Sequence, residues 1–110
     1  MIFGGEGDRQ KRIMRASRKQ EERTANRYRG SRNAGSGSGW LRKNDVRAEQ
    51  FLIENKLTEN TKSYSIKFKD LDELRARAIM DDRIAVLQFD LGGRNFVILN
   101  EDDFLALINV

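Results

Sequence analysis

The stretch DVRAEQFLIENK, residues 45–56, constrains the fold of this chain most, because it predicts a β-hairpin with a defined register. Residues 46–48 and 51–54 are two short runs suited to strands. Only Glu49 and Gln50 separate these runs, which leaves room for a tight two-residue connection and nothing longer. We therefore expect the two runs to pair as antiparallel strands.

The hairpin register determines which side chains share a face. It places Asp45 opposite Glu54, and directly opposite residues of an antiparallel pair point to the same side of the sheet. Side chains alternate along a strand, so Lys56 joins Glu54 on that side. The sequence therefore predicts a polar face that carries two carboxylates and one lysine. The other face of the hairpin is predicted to be apolar and to contain Val46, Ala48, Phe51 and Ile53.

This polar face has the chemistry of a divalent-metal site. Two carboxylates so close together repel, which raises the pKa of one of them unless a cation lies between them. A divalent metal would relieve the repulsion, polarise a phosphoryl oxygen and lower the pKa of a bound water, and Lys56 would stabilise negative charge on a phosphate. A charged, solvent-exposed hairpin face would have a similar pattern. The apolar run FLI directly before Glu54 favours a mostly buried strand instead.

The residue types that the chain lacks narrow the possible chemistry. It has no histidine, which excludes histidine-based nucleases, Ser-His hydrolases and ordinary zinc sites. The oxygen ligands that remain favour Mg²⁺ or Mn²⁺. It also has no cysteine, which suits a reducing cytosol. No apolar run has the length of a membrane span and the first ten residues do not resemble a secretory signal, so we expect a cytoplasmic protein.

Positive charge is concentrated near the N-terminus. Residues 9–32 contain ten Lys or Arg and two acids, whereas residues 33–110 contain eleven Lys or Arg and thirteen acids. Such a cluster is typical of a surface that binds the phosphates of nucleic acid. A solvated helix or a disordered basic arm would have the same composition. The predicted phosphate contacts are Arg9, Lys11, Arg12, Arg15, Arg18 and Lys19, with Arg32 and Lys43 further along the chain.

The remaining pattern predicts one mixed α/β domain, which is also the expectation for 110 residues. Residues 8–29 favour a helix that Gly30 would end, and residues 31–39 form a loop rich in Gly and Ser. The alternating run SYSIKF, residues 63–68, predicts a third strand. The capping pair Asp70 and Glu73 predicts the start of a second helix. Strands are predicted at 84–89 and 95–99, joined by a glycine turn. A last helix is predicted to be capped by Asn100 and to face inward with Phe104, Leu107 and Ile108.

This order of helix, three strands, helix, two strands and helix predicts a central five-stranded mixed sheet flanked by helices. Residues 21–68, EERTANRYRGSRNAGSGSGWLRKNDVRAEQFLIENKLTENTKSYSIKF, resemble the PD-(D/E)xK nuclease superfamily. The shared features are an acid in the first helix, a Ser-Gly loop, an Asp that opens the second strand, and Glu-x-Lys on the third. The chain is similar in particular to small phage-encoded nucleases related to archaeal Holliday junction resolvases.

The resemblance covers about residues 21–90. It implies a restriction-endonuclease-like nuclease domain over residues 21–110, preceded by a basic extension over residues 1–20. Asn44 stands directly before Asp45, where the family usually has Pro or Gly. Asn tolerates turn conformations, so this departure weakens the match only slightly.

The resemblance also implies roles for individual residues. The acid of the first helix corresponds to Glu21 or Glu22, and Glu21 is preferred because it shares a helix face with Ala25 and Tyr28. The other implied site residues are Asp45 and Glu54 as metal ligands together with the carbonyl of Asn55, Lys56 as the catalytic lysine, and Ser36 or Ser38 as the loop serine near the scissile phosphate.

The function implied by the resemblance is a homodimeric, Mg²⁺- or Mn²⁺-dependent endonuclease that acts on branched DNA inside a phage-infected host cell. The apolar runs at 84–89 and 104–110 could pair the subunits, although both suit the core better. One alternative is a nonspecific or nicking nuclease of phage DNA processing. A third possibility is a nucleic-acid-binding protein that keeps the fold without cutting. The joint presence of Asp45, Glu54 and Lys56 argues against this last possibility.

Overall fold

A mixed β-sheet with a helix on each face forms the framework of the protein. The structure is a computed structural model that describes residues 6–32, 45–58 and 62–109. In chain order the elements are α1 (Glu6–Arg27), β1 (Ser31–Arg32), β2 (Asp45–Arg47), β3 (Phe51–Lys56), α2 (Phe68–Met80), β4 (Ile84–Leu91), β5 (Arg94–Ile98) and α3 (Glu101–Leu107).

The strands lie side by side in their sequence order, from β1 to β5. Strands β2 to β5 make up most of the sheet, and β1 adds only two residues at one edge. Strands β3 and β4 are parallel because α2 carries the chain back across the sheet between them, and every other pair is antiparallel. The predicted α/β class with a mixed sheet is therefore confirmed.

The predicted hairpin is present with the predicted register. Strand β2 pairs with β3 so that Asp45 lies opposite Glu54 and Val46 opposite Ile53. The amide of Ala48 donates to the carbonyl of Phe51 at 2.9 Å, which closes the turn. The predicted apolar face packs beneath α1, in a buried cluster of Ala25, Val46, Ala48, Ile53 and Val86 with Tyr28 and Phe51 at its margin.

The opposite face of the sheet packs against α2. Leu74 and Ala78 of α2 lie against strands β3 and β4 in a second buried cluster that also contains Leu52, Ala85 and Leu87. Side chains alternate along β3, so Glu54 and Lys56, two and four residues after Leu52, lie on the same α2 side of the sheet as Leu52. The hairpin therefore presents its polar face to α2 and not to bulk solvent.

An ion-pair network fixes the end of α2 against the hairpin. Arg47 of β2 and Arg83 both reach the Asp81 carboxylate, with nitrogen–oxygen distances of 3.1 and 2.6 Å. Arg83 also donates through Nε to the carbonyl of Ala48 at 2.7 Å. These contacts determine where the last turns of α2 lie over β2 and β3.

The predicted strand at residues 63–68 is wrong. Residues 63–67 have no regular structure, and Phe68 is already the first residue of α2. Of the alternating apolar residues, Tyr64 packs against the ring of Phe89 at a centroid distance of 4.8 Å. Ile66 is exposed, and Phe68 is 78% exposed. An alternating pattern gives a strand only where a buried face receives it.

The start of α2 also differs from the prediction. The helix begins two residues before Asp70, and Lys67 holds the capping position without a side-chain hydrogen bond. Asp70 therefore lies in the first turn of α2, where its negative charge interacts favourably with the helix dipole. Its carboxylate is left to interact with other side chains.

The helix α3 begins as predicted but does not pack as predicted. The Asn100 side chain accepts from the amides of Asp102 and Asp103, which confirms it as the cap. The predicted inward packing of Phe104 and Ile108 is wrong, since they are 47% and 50% exposed. Leu107 is half-buried, and α3 contains no buried residue. The neighbouring strand β5 is itself largely exposed, so it offers α3 no buried surface.

Gly30 takes part in the end of α1 through its amide, which donates to the carbonyl of Ala25 at 2.8 Å, and it has a second role that was not predicted. Helix α1 ends at Arg27, and the left-handed residue that follows it is Arg29, with φ of 54°. Gly30 lies against the backbone of Arg47, where an added Cβ would collide with the carbonyl oxygen. A glycine is therefore needed here so that the segment after α1 can approach the backbone of β2 closely. The predicted glycine turn between β4 and β5 is confirmed, with Gly92 and Gly93 both at positive φ.

None of the helices within residues 6–32, 45–58 and 62–109 is both long and apolar enough to span a membrane.

Candidate functional site

The two acids of the hairpin lie side by side beneath α2. Asp45 and Glu54 are 0% and 1% exposed. Arg77 of α2 reaches both of them through one nitrogen, with Nη2 at 3.3 Å from Asp45 Oδ1 and at 2.8 Å from Glu54 Oε1. The carboxylate pair is thus completed by a buried guanidinium, and we refer to Asp45, Glu54 and Arg77 as the buried triad.

Arg77 is the site residue that sequence reasoning missed. It lies three residues after Leu74 and directly before Ala78, on the apolar side of α2 that faces the sheet. A buried charge is costly unless it is paired, so an arginine on the buried side of a helix signals a carboxylate beneath it. The repulsion between Asp45 and Glu54 is relieved here by the guanidinium.

Lys56 lies at the open margin of the triad. Its Nζ is 3.4 Å from Glu54 Oε2 and 3.9 Å from Asp70 Oδ2. The Lys56 and Asp70 side chains are 27% and 31% exposed, in contrast to the buried triad. Lys56 therefore links the buried acids to the surface, in the position from which a lysine could contact a bound phosphate.

Tyr64 borders the same margin. Burial raises the pKa of its phenol above the ordinary 10.0, and the negative charges of Asp70 and Glu54 raise the pKa further. The irregular segment before α2, where a strand was predicted, thus contributes a phenol to the site. Its ring is held in place by Phe89.

The raised pKa of Tyr64 predicts an alkaline loss of stability. The phenol binds its proton more tightly in the folded protein, so its contribution to stability is complete below pH 10 and is lost as the pH rises through the folded-state pKa. We expect the free energy of unfolding to fall above pH 10, and to fall less in Tyr64→Phe. Chemical denaturation across this range measures the difference.

A titration isolates the same group. Tyr28 and Tyr64 are the two tyrosines of the chain, so the phenolate absorbance of Tyr28→Phe reports Tyr64 alone. We expect its pKa to lie above 10 and to fall when Asp70→Asn is added. Ionisation of Tyr64 at or below its ordinary pKa would contradict this description of the site.

The carboxylate oxygens of Asp45 and Glu54 suit a metal that prefers oxygen ligands. Mg²⁺ is commonly held by one or two carboxylates, with waters and substrate phosphates completing its shell. Asp45 and Glu54 would provide two such ligands. No group of three or more His, Cys, Asp or Glu that could hold a metal ion occurs in the described parts of the chain. The chemistry of the pair therefore fits Mg²⁺ or Mn²⁺, while the position between the acids is held by Arg77.

Glu21 is not brought into this acid pair. It is buried on the sheet-facing side of α1, next to Thr24 and Ala25. Thr24 Oγ1 donates to Asn55 Oδ1 at 2.6 Å, so the Asn55 side chain points to the α1 side of the sheet. The buried triad lies on the α2 side. Glu22, the alternative acid of this helix, is exposed.

Several residues of the predicted site lie in parts of the chain that the structure does not describe. Ser36, Ser38, Lys43 and Asn44 lie outside the described residues, and Arg32 is described only as part of β1. Their predicted roles stay predictions.

The basic residues of α1 form an exposed row. Lys11, Arg12, Arg15, Arg18 and Lys19 recur at helical spacing and lie on the side of α1 turned away from the sheet; we call them the basic stripe. All five are exposed, as is Arg9. One helix, α1, contains residues 6–20 of the predicted extension and the start of the predicted domain, because it continues without a break across residue 20.

Helix α1 runs antiparallel to β3 and continues past the end of that strand. Gln20 donates to the carbonyl of Lys56 at 2.8 Å, and the ring of Tyr28 meets that of Phe51 near the start of β3. Residues 6–19 therefore lie at the Lys56 end of the sheet. At 1.5 Å per residue they span about 20 Å.

Comparison of the chain with protein-family models, with curated proteins and with solved structures gives no match. Assignment of function therefore depends on the geometry of the site.

Proposed function

We propose that the protein is a metal-dependent DNA endonuclease that hydrolyses phosphodiester bonds and prefers branched DNA, as a Holliday junction resolvase does. One observation supports this most strongly: Asp45 and Glu54 lie directly opposite each other on paired strands, and Lys56 contacts Glu54 from the same face. This arrangement requires the hairpin register, and it is the arrangement that the PD-(D/E)xK resemblance implies.

Each residue of the polar face has a role in this proposal. Asp45 and Glu54 would hold Mg²⁺ or Mn²⁺, which supplies Lewis-acid polarisation of a phosphoryl oxygen and a more acidic bound water when it is present. Lys56 Nζ would stabilise the negative charge that develops on the phosphate. Asp70 would orient Lys56 from its other side, since it lies 3.9 Å from Nζ.

The finer features of the fold belong to the same proposal. A helix, a hairpin that carries the acids, and a helical crossover into a parallel strand are consistent with a restriction-endonuclease-like core. The predicted contribution of Glu21 would require it to approach the acids when DNA binds, because it lies on the α1 side of the sheet. The proposal keeps the predicted roles of Ser36 or Ser38 near the scissile phosphate and of the Asn55 carbonyl at the metal. The cytoplasm of a phage-infected host cell is the proposed location.

The basic stripe would hold DNA through its phosphates. It lies on the part of α1 that continues past the Lys56 end of β3, on the opposite side of the sheet from the polar face. One DNA molecule would therefore have to pass around this end of the sheet to meet both the basic stripe and Lys56. At about 3.4 Å per base pair, the 20 Å of this segment corresponds to about six base pairs of duplex. A homodimer, with the half-exposed Phe104 of α3 and the adjoining Ile108 in the contact, would place two such sites on one junction.

The basic stripe predicts a strong salt dependence of DNA binding. Replacing all five residues with Gln is expected to weaken binding and to reduce the slope of log K against log salt by up to about 4.5, because five fewer counterions are released. Gln preserves helix propensity, so α1 should keep its structure. Binding measured at several salt concentrations gives the slope.

A charge-preserving variant with Arg12, Arg15 and Arg18 changed to Lys provides the control. It keeps every charge of the basic stripe and should keep the wild-type slope. A wild-type slope in the Gln variant would mean that the basic stripe does not contact phosphates.

A second candidate function is nucleic-acid binding without cleavage. The burial of Asp45 and Glu54 and their pairing with Arg77 favour it, because an acid pair that is already neutralised can serve stability alone. The basic stripe would have the same role in both functions.

A cleavage panel separates these functions. Four-way junction, linear duplex and single-stranded DNA are each incubated with the protein in Mg²⁺, Mn²⁺ or EDTA. Selective cutting of the junction in metal supports the proposal, and equal cutting of duplex supports a nonspecific nuclease. Binding without cutting in either metal would support the second candidate.

A further inference from the structure

We propose that Arg77 competes with the divalent metal for Asp45 and Glu54, and that it thereby sets the metal affinity of the site. This inference rests on the proposed metal-dependent function. Arg77 Nη2 lies within 3.3 Å of an oxygen of each acid. A nitrogen so placed holds the position that a cation bridging the two carboxylates would take.

Burial makes the competition direct. The side chains of Arg77, Asp45 and Glu54 are 9%, 0% and 1% exposed, so the triad is enclosed by protein. Mg²⁺ requires carboxylate oxygens at about 2.1 Å in near-octahedral geometry and retains several waters. The space between the acids cannot hold the guanidinium and a hydrated metal together.

The net charge of the site also opposes binding of the metal while Arg77 stays in place. Asp45 and Glu54 are balanced by Arg77 and Lys56, and Asp70 beside Lys56 adds one further negative charge at the more exposed margin. Adding a divalent ion while Arg77 remains would leave a net positive charge and would place the ion against the guanidinium, where like charges repel strongly. Metal binding therefore requires Arg77 to withdraw.

A different role for Arg77 would have the opposite consequence. If the guanidinium only orients the carboxylates for a metal bound beside it, removing Arg77 would weaken metal binding, as loss of a supporting hydrogen bond usually does. If it competes, removing it strengthens metal binding. The sign of the change in affinity thus decides between the two roles.

The test is a calorimetric titration of wild-type protein and Arg77→Met with Mn²⁺, without DNA. We expect Arg77→Met to bind Mn²⁺ at least about tenfold more tightly, because the competing charge is gone. Its melting temperature should be lower than that of wild type in EDTA and should rise more than that of wild type when Mn²⁺ is added. The matched control is Arg75→Met, an exposed arginine of the same helix, which should leave the affinity unchanged.

The uncompensated acids of Arg77→Met could prevent folding in EDTA. The variant is then prepared in Mn²⁺, and the inference requires that Mn²⁺ restores a folded protein that EDTA unfolds. Failure of Mn²⁺ to restore folding, or an affinity equal to or weaker than that of wild type, overturns the inference. Cleavage by wild type in Mg²⁺ is measured separately, and it tests the proposed function whatever the role of Arg77.

Discussion

Replacing Glu54 with Gln, or Asp45 with Asn, is expected to lower the rate of DNA cleavage at least about 1,000-fold, equivalent to about 4 kcal/mol of transition-state stabilisation. Each substitution keeps the shape of the side chain and removes one negative charge from the pair. In the proposed function the loss of charge removes a metal ligand, whereas the proposed binding of DNA by the basic stripe should stay near the wild-type level. Single-turnover rates and equilibrium binding to the same DNA measure the two effects.

These variants need a stability check and a matched control. Breaking a buried ion pair typically costs about 3–5 kcal/mol, and Arg77 would keep only one of its two acids. Activity is therefore compared at a temperature where circular dichroism shows each variant folded. Glu49→Gln, at the exposed turn of the same hairpin, should cleave like wild type. Full activity in either buried variant would mean that the acid pair is not catalytic.

Lys56→Ala is expected to lower turnover about 100-fold with little change in the affinity for DNA, as is typical when one group that stabilises transition-state charge is removed. The Lys56 ammonium lies at the margin of the site and contacts Glu54 and Asp70. In the proposed function its charge would act on one phosphate of the bound DNA. An interaction made only in the transition state changes the rate selectively. Single-turnover rates at saturating protein separate turnover from affinity.

Lys69→Ala provides the control for this prediction. Lys69 lies on the exposed first turn of α2 with an 82% exposed side chain, and its loss should change neither turnover nor affinity appreciably. A Lys56→Ala protein with normal turnover and weakened DNA binding would show that Lys56 is a binding residue.

The hairpin was predictable because its constraints are local. Two residues separate the runs, so the turn determines the register, and alternation then determines which side chains share a face. This reasoning places Asp45 opposite Glu54 and assigns Val46 and Ile53 to the core, as the structure has them. Local rules also identified Asn100 as a helix cap.

The partner of the acid pair was not predictable in the same way. Arg77 is 23 residues from Glu54 and 32 from Asp45 in sequence, and only the packing of α2 on the sheet brings them together. The sequence predicted that the carboxylates need a cation, but not that the chain supplies one. An arginine among the buried positions of α2 was the available signal.

Two of the structural errors have a common cause. The alternating run at residues 63–68 and the apolar side of α3 both have the periodicity of a packed element. Neither meets a surface that buries its whole apolar side: Tyr64 packs against Phe89 but Phe68 remains exposed, and α3 contains no buried residue. Periodicity describes how a segment could pack, whereas the partner surface is determined by the whole fold.

The central claim is that the polar face of the hairpin cuts DNA with the help of a divalent metal. The most direct measurement is cleavage of a labelled four-way junction in Mg²⁺ by wild-type protein and by Glu54→Gln purified in parallel, with EDTA as a second arm. The proposed function predicts cleavage by wild type in Mg²⁺ alone and none by Glu54→Gln. Equal cleavage by the two proteins, or no cleavage by wild type in any divalent metal, would contradict it.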